Sequence, residues 1–284
     1  MIKSITSLFI LIEIQFIRQL FRLVLFLMLI TDVVVFAQPL TIPFVPGEKV
    51  AYDVFYNWHF VWVEAGKVTF EVETREFEKK QQFYFKSEGR SLLTYDWIYK
   101  VREKFISVAD AKTLVPVNFS RDSHEGEYFA KETIDFDYKK SKIYCQTENS
   151  NKPLLTKTLD LNGFVLDVQT AVYYARTLDF KVMYVGQQIP FRMILDGEVY
   201  DLHGKYLGIE NIENYDGKIY RCHKFSALLV SGTIFSGGED LFVWFTDDKN
   251  KIPILVEAKI LVGSVKAVFT GAKNLAFPCT SLVN

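Results

Sequence analysis

Residues 68–73 read Val68-Thr69-Phe70-Glu71-Val72-Glu73, and this stretch decides the fold. Apolar and polar side chains alternate with period two. Successive side chains of an extended chain point to opposite faces, so one face of this segment meets a core and the other meets water. Ile134-Asp135-Phe136-Asp137-Tyr138 repeats the pattern. Working outward, Gly47-Glu48-Lys49-Val50-Ala51-Tyr52-Asp53-Val54 opens the first strand, and further strands are expected over 80–90, 98–108, 113–122, 141–148, 154–160, 188–206, 218–230, 240–246 and 253–262. Many short strands at this spacing favour an antiparallel sandwich or barrel over a parallel sheet. The 25 Phe, 15 Tyr and 4 Trp suit strands, where flat rings pack on a pleated surface.

One segment departs from period two. Phe164, Val165, Val168, Ala171, Val172, Ala175 and Leu178 form a helical stripe, so a central helix is expected over about 164–179, lying across the sheet. Asn162 is read as its N-cap, with Asp167 in the early turns, where the helix dipole favours negative charge. Its outer face would carry Gln169. A second, short helix is read from Ser91 to Asp96, with Ser91 as cap. Near the C-terminus Val256, Ala258, Ile260 and Val262 share one parity, and Val265, Ala267 and Phe269 the other. That change of phase needs a bulge or tight turn, for which Gly263 supplies the freedom.

Ahead of the strands lies a different kind of sequence. Met1 to Ala37 carries sparse positive charge at Lys3, Arg18 and Arg22, then the apolar run Leu23–Ile30, and closes at Val35-Phe36-Ala37. This is the layout of a signal peptide cut near Ala37, which places the mature protein in the periplasm or cell envelope. An uncleaved anchor is the other reading, although Arg18, Arg22 and Asp32 interrupt the span of about 20 apolar residues that crossing needs. Removing 37 of 284 residues leaves 247, read as one β-rich domain over 38–284. Lys+Arg then falls from 33 to 30 and Asp+Glu from 34 to 32, a net charge near −2. That balance argues against nucleic acid as a partner, which requires clustered positive charge.

Candidate chemistry is sparse. The histidines, His59, His124, His203 and His223, show no metal spacing, and no nucleophile elbow or phosphate loop is present. No catalytic residue, metal site or cofactor is assigned. The 3 cysteines leave at least one unpaired; Cys145 and Cys222 read either as a disulfide or as small buried thiols. Asp247-Asp248-Lys249-Asn250-Lys251 reads as a hairpin turn. The candidate ligand-binding residues are Trp58, Phe60 and Trp62. On one strand they would share a face, either as core or as the wall of a pocket for a lipid or glycan.

Several of these pieces together resemble a known family. They are Phe44-Val45-Pro46-Gly47-Glu48-Lys49-Val50-Ala51-Tyr52-Asp53, then Glu64-Ala65-Gly66, Asp167, and Val243-Trp244-Phe245-Thr246-Asp247-Asp248-Lys249-Asn250-Lys251-Ile252-Pro253. Their order is similar to that of the exported bacterial proteins grouped as domain of unknown function 3108, over about 44–270. The resemblance implies a mainly β protein of the Gram-negative envelope, a large antiparallel sheet curled into a barrel-like shape. It carries over no catalytic residues. The functional expectation is a non-catalytic monomer that binds a lipidic or glycan ligand, or alternatively one that serves as a structural or interaction partner of another envelope protein. An enzyme without recognisable motif is the last alternative.

Overall fold

A computed structural model describes residues 40–58, 61–229, 238–259 and 264–283. The expected signal segment, His59, Phe60 and Gly263 lie outside the described residues. The strands are β1 (Lys49–Trp58), β2 (Val61–Phe77), β3 (Lys80–Ser91), β4 (Val101–Asp110), β5 (Pro116–Glu125), β6 (Tyr128–Asp137), β7 (Lys142–Asn149) and β8 (Lys152–Asp160). Among the described residues a single α-helix, α1 (Val168–Thr177), follows. The chain returns through β9 (Gln188–Leu195), β10 (Glu198–Glu213), β11 (Ile219–Leu229), β12 (Gly238–Thr246), β13 (Pro253–Lys259) and β14 (Ser264–Lys273).

Sequence neighbours pair antiparallel except β8 and β9, and β1 pairs with β14, giving one 14-stranded sheet in the order β8-β7-β6-β5-β4-β3-β2-β1-β14-β13-β12-β11-β10-β9. Strand twist accumulates over so many strands and curls the sheet. It does not close, because β8 and β9 are its two ends. The outer side of β9 meets the segment ahead of α1: the Leu166 N–H donates to Arg192 O at 2.9 Å and Leu166 O accepts from the Ile194 N–H at 2.9 Å. The β9–β10 turn reaches the far half of the sheet, where the Gly197 N–H donates to Glu132 of β6 at 2.9 Å. Ile194 packs there with Phe119, Ile134, Ile143 and Cys145. The sheet therefore rolls over itself like a scroll.

Several expectations change at this level. The 188–206 stretch is a hairpin, not one strand, because Asp196 and Gly197 both adopt positive φ, as a two-residue turn of this hand requires. The phase change near Gly263 is a hairpin between β13 and β14, where Lys259 pairs with Ser264. Ser91 ends β3 rather than capping a helix; the short helix is a 3-10 turn at Leu93–Tyr95, whose N-cap residue is Leu92. The main helix begins at Val168, not near 164, and Asp167 is its N-cap, accepting from the Thr170 N–H at 2.8 Å. Asn162 lies outside it because residues 164–167 run extended alongside β9.

The helix also faces the other way. Its most buried residues are Gln169, Thr170, Tyr173, Arg176 and Thr177, whereas Val168, Ala171, Val172 and Ala175 are half-buried. α1 lies inside the curl, so both its sides are enclosed. The polar side reaches deepest because it finds partners there: Ser87 donates to Gln169 Oε1 at 2.9 Å, and Ser107 donates to Asp167. Tyr173 stacks on Phe85 with centroids 3.9 Å apart. On the opposite side Ala175 and Leu178 pack against Phe180, Tyr206, Phe225 and Phe245.

Candidate functional site

Most of the motifs that carry the family resemblance meet at one end of the curl, with Glu64-Ala65-Gly66 set apart toward the other end of β2, and their bonding is architectural. Gly47 (φ 88°) turns the chain into β1, and its N–H donates to Val72 O at 2.7 Å. Glu48 is buried and takes a two-pronged ion pair from Arg176 of α1, at 2.5 and 3.0 Å. Arg176 also donates Nε to Asn250 O at 3.0 Å. Asn250 in turn bridges to the C-terminal tail, donating Nδ2 to Phe277 O and accepting from the Phe277 N–H, both at 2.9 Å. Asp248 folds the turn by accepting from the Asn250 N–H at 2.9 Å and the Lys251 N–H at 3.2 Å, as the sequence leads one to expect of an Asp-Asn turn. Glu64-Ala65-Gly66 is a β-bulge: Val54 pairs with Gly66 and Phe55 with Glu64, leaving Ala65 unmatched. A Cβ on Gly66 would lie 2.5 Å from Arg90 O, so only glycine fits. Glu48, Arg176 and Asn250 tie the start of β1, the end of α1, the 247–251 turn and the C-terminal tail together.

The other end is different, and register shows why. Tyr52 is core, and residues two apart share a face, so Val54 and Tyr56 face inward with it. Directly paired residues of an antiparallel ladder also share a face. Following the pairs outward, Val54 and Tyr56 meet Ala267 and Val265, then Val256 and Ala258, then Val243 and Leu241, then Phe225 and Ala227. The band ends at Tyr206 and Gly204 of β10 and Ile189 of β9. It crosses seven strands without a charged residue. Phe225 and Tyr206 are buried against α1, but most of the others are only half-buried. Gly204, Ala227, Ala258 and Ala267 are its small members.

Followed the other way, across β3 to β6, the same face turns polar. Tyr52 pairs with Val68, Val68 with Gly89, Gly89 with Glu103 and Glu103 with Ser123. Ser123 donates to Glu103 and accepts from Arg121 Nε at 2.8 Å; Arg121 also pairs with Asp196 at 3.1 Å. Burial pushes the Glu103 carboxyl up to about 7, and the neighbouring Glu125 pushes the same way against the Ser123 hydrogen bond. Burial likewise lifts Glu132 to about 7, with Asp196 adding to it. Oε1 of Glu103 is buried with no hydrogen-bond partner among the described residues. The inner surface is thus apolar over the β1–β14–β9 half and polar, with two carboxyls that hold protons near neutrality, over β4 to β6.

The three sequence-based candidates separate. Trp58 ends β1 and Val61 opens β2, so the 58–62 stretch is a hairpin and not one strand. Asn57 pairs with Trp62 and Trp58 with Val61, which puts positions 58 and 62 on opposite faces. Trp62 is half-buried, with Lys266 Nζ 4.2 Å over its ring. Phe60 lies outside the described residues. Glu103, Arg121 and Glu132 are not among the residues the sequence singles out; their signal is a charged residue on the parity that otherwise carries Phe105, Phe119 and Ile134.

Three further features remain. His223 is buried, its Nδ1 2.9 Å from Tyr206 Oη and its Nε2 3.0 Å from Asp247, which also takes Arg221 at 3.0 Å. Phe180, Phe225 and Phe245 wall this trio off. All three cysteines are free thiols. On the outer face an open cleft of about 690 Å³ is lined by charges of both signs, Lys67, Arg90 and Lys104 facing Asp53, Glu88 and Asp122. Among the described residues no group of three His, Cys, Asp or Glu could hold a metal ion.

The fold and this inner face define an open, barrel-like β-protein. Of solved structures, a beta-barrel-like protein of domain of unknown function DUF1849 from Brucella abortus is similar, with TM-score 0.52 and 8% identity, covering 82% of this chain and 99% of that one. That likeness is one of fold. The chain belongs to the family described as protein of unknown function DUF3108, which matches residues 51–270. No curated protein matches it.

Proposed function

We propose that the protein is exported to the Gram-negative periplasm, following cleavage near Ala37, and there holds a lipidic ligand against the inner face of its sheet. The observation that carries this reading is the uncharged, half-buried band from Val54 to Ile189. Apolar surface left partly open inside a fold gains about 25 cal/mol per Å² when a ligand covers it. Pockets for small molecules are typically apolar with a few convergent polar groups. Glu103, Ser123 and Arg121 supply those groups on the adjoining strands. A hydroxyl or carbonyl head there would meet the unsatisfied Glu103 oxygen, with tails along the band. A glycan fits less well, because the band offers no side-chain donors or acceptors from Val54 across to Ala227 other than Tyr56.

The alternative, recruitment of a protein by strand addition, meets resistance at the free end strand. β8 carries Pro153, Lys152 and Lys157, devices that discourage pairing at an edge. Native mass spectrometry on the protein purified from its own host tests the ligand reading. A lipid-sized mass excess that organic extraction removes supports it. A bare polypeptide mass, unchanged after incubation with envelope lipid extract, rejects it.

A further inference from the structure

The loop from β3 to β4 sits at the end of the sheet away from the Glu48–Arg176 junction, beside the start of β2, with the Leu92 N–H donating to Ala65 O at 2.9 Å. It exposes large apolar side chains: Trp97 is 83% exposed, Leu93 77% and Ile98 62%. Val61, on the neighbouring hairpin, is 62% exposed. These side chains do not hold the loop together. Polar hooks do: Asp96 accepts from Arg102 and Ser91, and Ser91 Oγ accepts from the Val101 N–H at 2.9 Å. Part of the backbone is bonded within the loop: Tyr95 O accepts from both the Ile98 and Tyr99 N–H groups at 2.9 Å, and the Tyr95 N–H donates to Leu92 O at 2.9 Å.

We infer that this loop is a membrane-docking tip that seats the open end of the scroll on a phospholipid bilayer, with Leu93, Trp97 and Ile98 entering the interfacial region. Three observations select a bilayer as the occupant. The composition is that of an interfacial anchor, aliphatic side chains ringed by Trp97, Tyr95 and Tyr99, whose polar tips suit headgroup level. The backbone bonds made within the loop reduce the number of donors and acceptors that an apolar layer would strand. The loop's one carboxylate is neutralised by Arg102, which holds it down to about 2, and Lys100 follows at the margin, where a long basic side chain can reach up to phosphates. No described helix is long and apolar enough to cross a membrane. The inference rests on the ligand reading in one respect. The tip stands at the same end as Val61 and Tyr56, so a lipid could pass between bilayer and band without crossing water.

The test is hydroxyl-radical footprinting of the full chain with phosphatidylcholine vesicles. Oxidation of Trp97 should fall about tenfold on vesicles, whereas Phe77 and Tyr184, exposed at the opposite end, should oxidise unchanged. Protection should persist in about 0.5 M salt, because the contact is apolar. The triple change Leu93→Ser, Trp97→Ser, Ile98→Ser should weaken the loop's partition about a hundredfold while leaving the melting temperature in place. Trp97 oxidising as fast on vesicles as in buffer overturns the inference, as does protection confined to anionic vesicles or protection at equal protein concentration without lipid, which would mean a second copy covers the tip. Lipid retention by the triple variant is read separately. If wild type carries no lipid yet Trp97 is protected, docking stands and the ligand reading falls; if lipid is carried and Trp97 is bare, the reverse holds.

Discussion

Glu48→Gln should be among the most damaging single changes in the chain. Both partners of the Glu48–Arg176 pair are buried, with side-chain exposures of 1% and 3%. Neutralising one partner leaves a buried guanidinium without its counter-charge, which costs about 3–5 kcal/mol. A domain of this size shifts about 2–4 °C per kcal/mol, so the melting temperature should fall by about 6–20 °C. Arg176→Met should cost a similar amount by stranding the carboxylate, and somewhat more because Asn250 O and Pro43 O lose their donor. The double variant, with neither charge buried, should recover most of the loss and sit about 1–2 kcal/mol below wild type for those orphaned carbonyls. Urea unfolding at constant m-value measures all four proteins. A Glu48→Gln loss within about 0.5 kcal/mol, or single losses that add in the double variant, would refute the claim that this pair ties the junction together.

Gly66→Ala should cost about 2–4 kcal/mol, since its methyl would press on the Arg90 carbonyl, and circular-dichroism melts would show it. Glu103→Gln should change the pH profile of stability. The Glu103 carboxyl lies near 7 in the fold against an ordinary 4.5. A raised acid stabilises the fold fully below its unfolded value, and that contribution is lost as pH rises through 7. The neutral Gln should therefore match wild type near pH 4 and exceed it by about 2 kcal/mol near pH 8, discounted for partial exposure. Native thiol titration should find one fast thiol, Cys279, because burial pushes Cys145 up to about 11 and Cys222 up to about 12.

The strand pattern was plain in the sequence wherever one face of a strand is core, as at Val72 and Ile134, because period two records that contrast directly. Asp196-Gly197 is a hairpin dipeptide that the reading of 188–206 as one strand passes over, because apolar residues lie on both sides of it. The helix was misoriented for a physical reason. An apolar stripe points to the core only when the other side meets water, and α1 has sheet on both sides. Gln169, expected on the outside, is 3% exposed and bonded to Ser87. The candidate site was harder still. Parity groups Val256 with Ala258 and Val265 with Ala267, but the band exists only because β1 pairs with β14. No local signal encodes a pairing between the first and last strands. Trp58, Phe60 and Trp62 drew notice as aromatics in alternation, whereas the uncharged band is made largely of Val and Ala.

Ligand occupancy of the inner face is decided most directly by filling it. Ala258 is half-buried between Leu241 and Val265. Ala258→Trp should cover the face beside it at little cost to stability, because a half-buried position is not a filled core, where overpacking is costly. Native mass spectrometry of wild type and Ala258→Trp, expressed in the same host and matched for folding by their melts, should show a lipid mass on the first and its loss on the second. Equal lipid occupancy in both, or a bare wild type, would contradict the inner face as a binding surface.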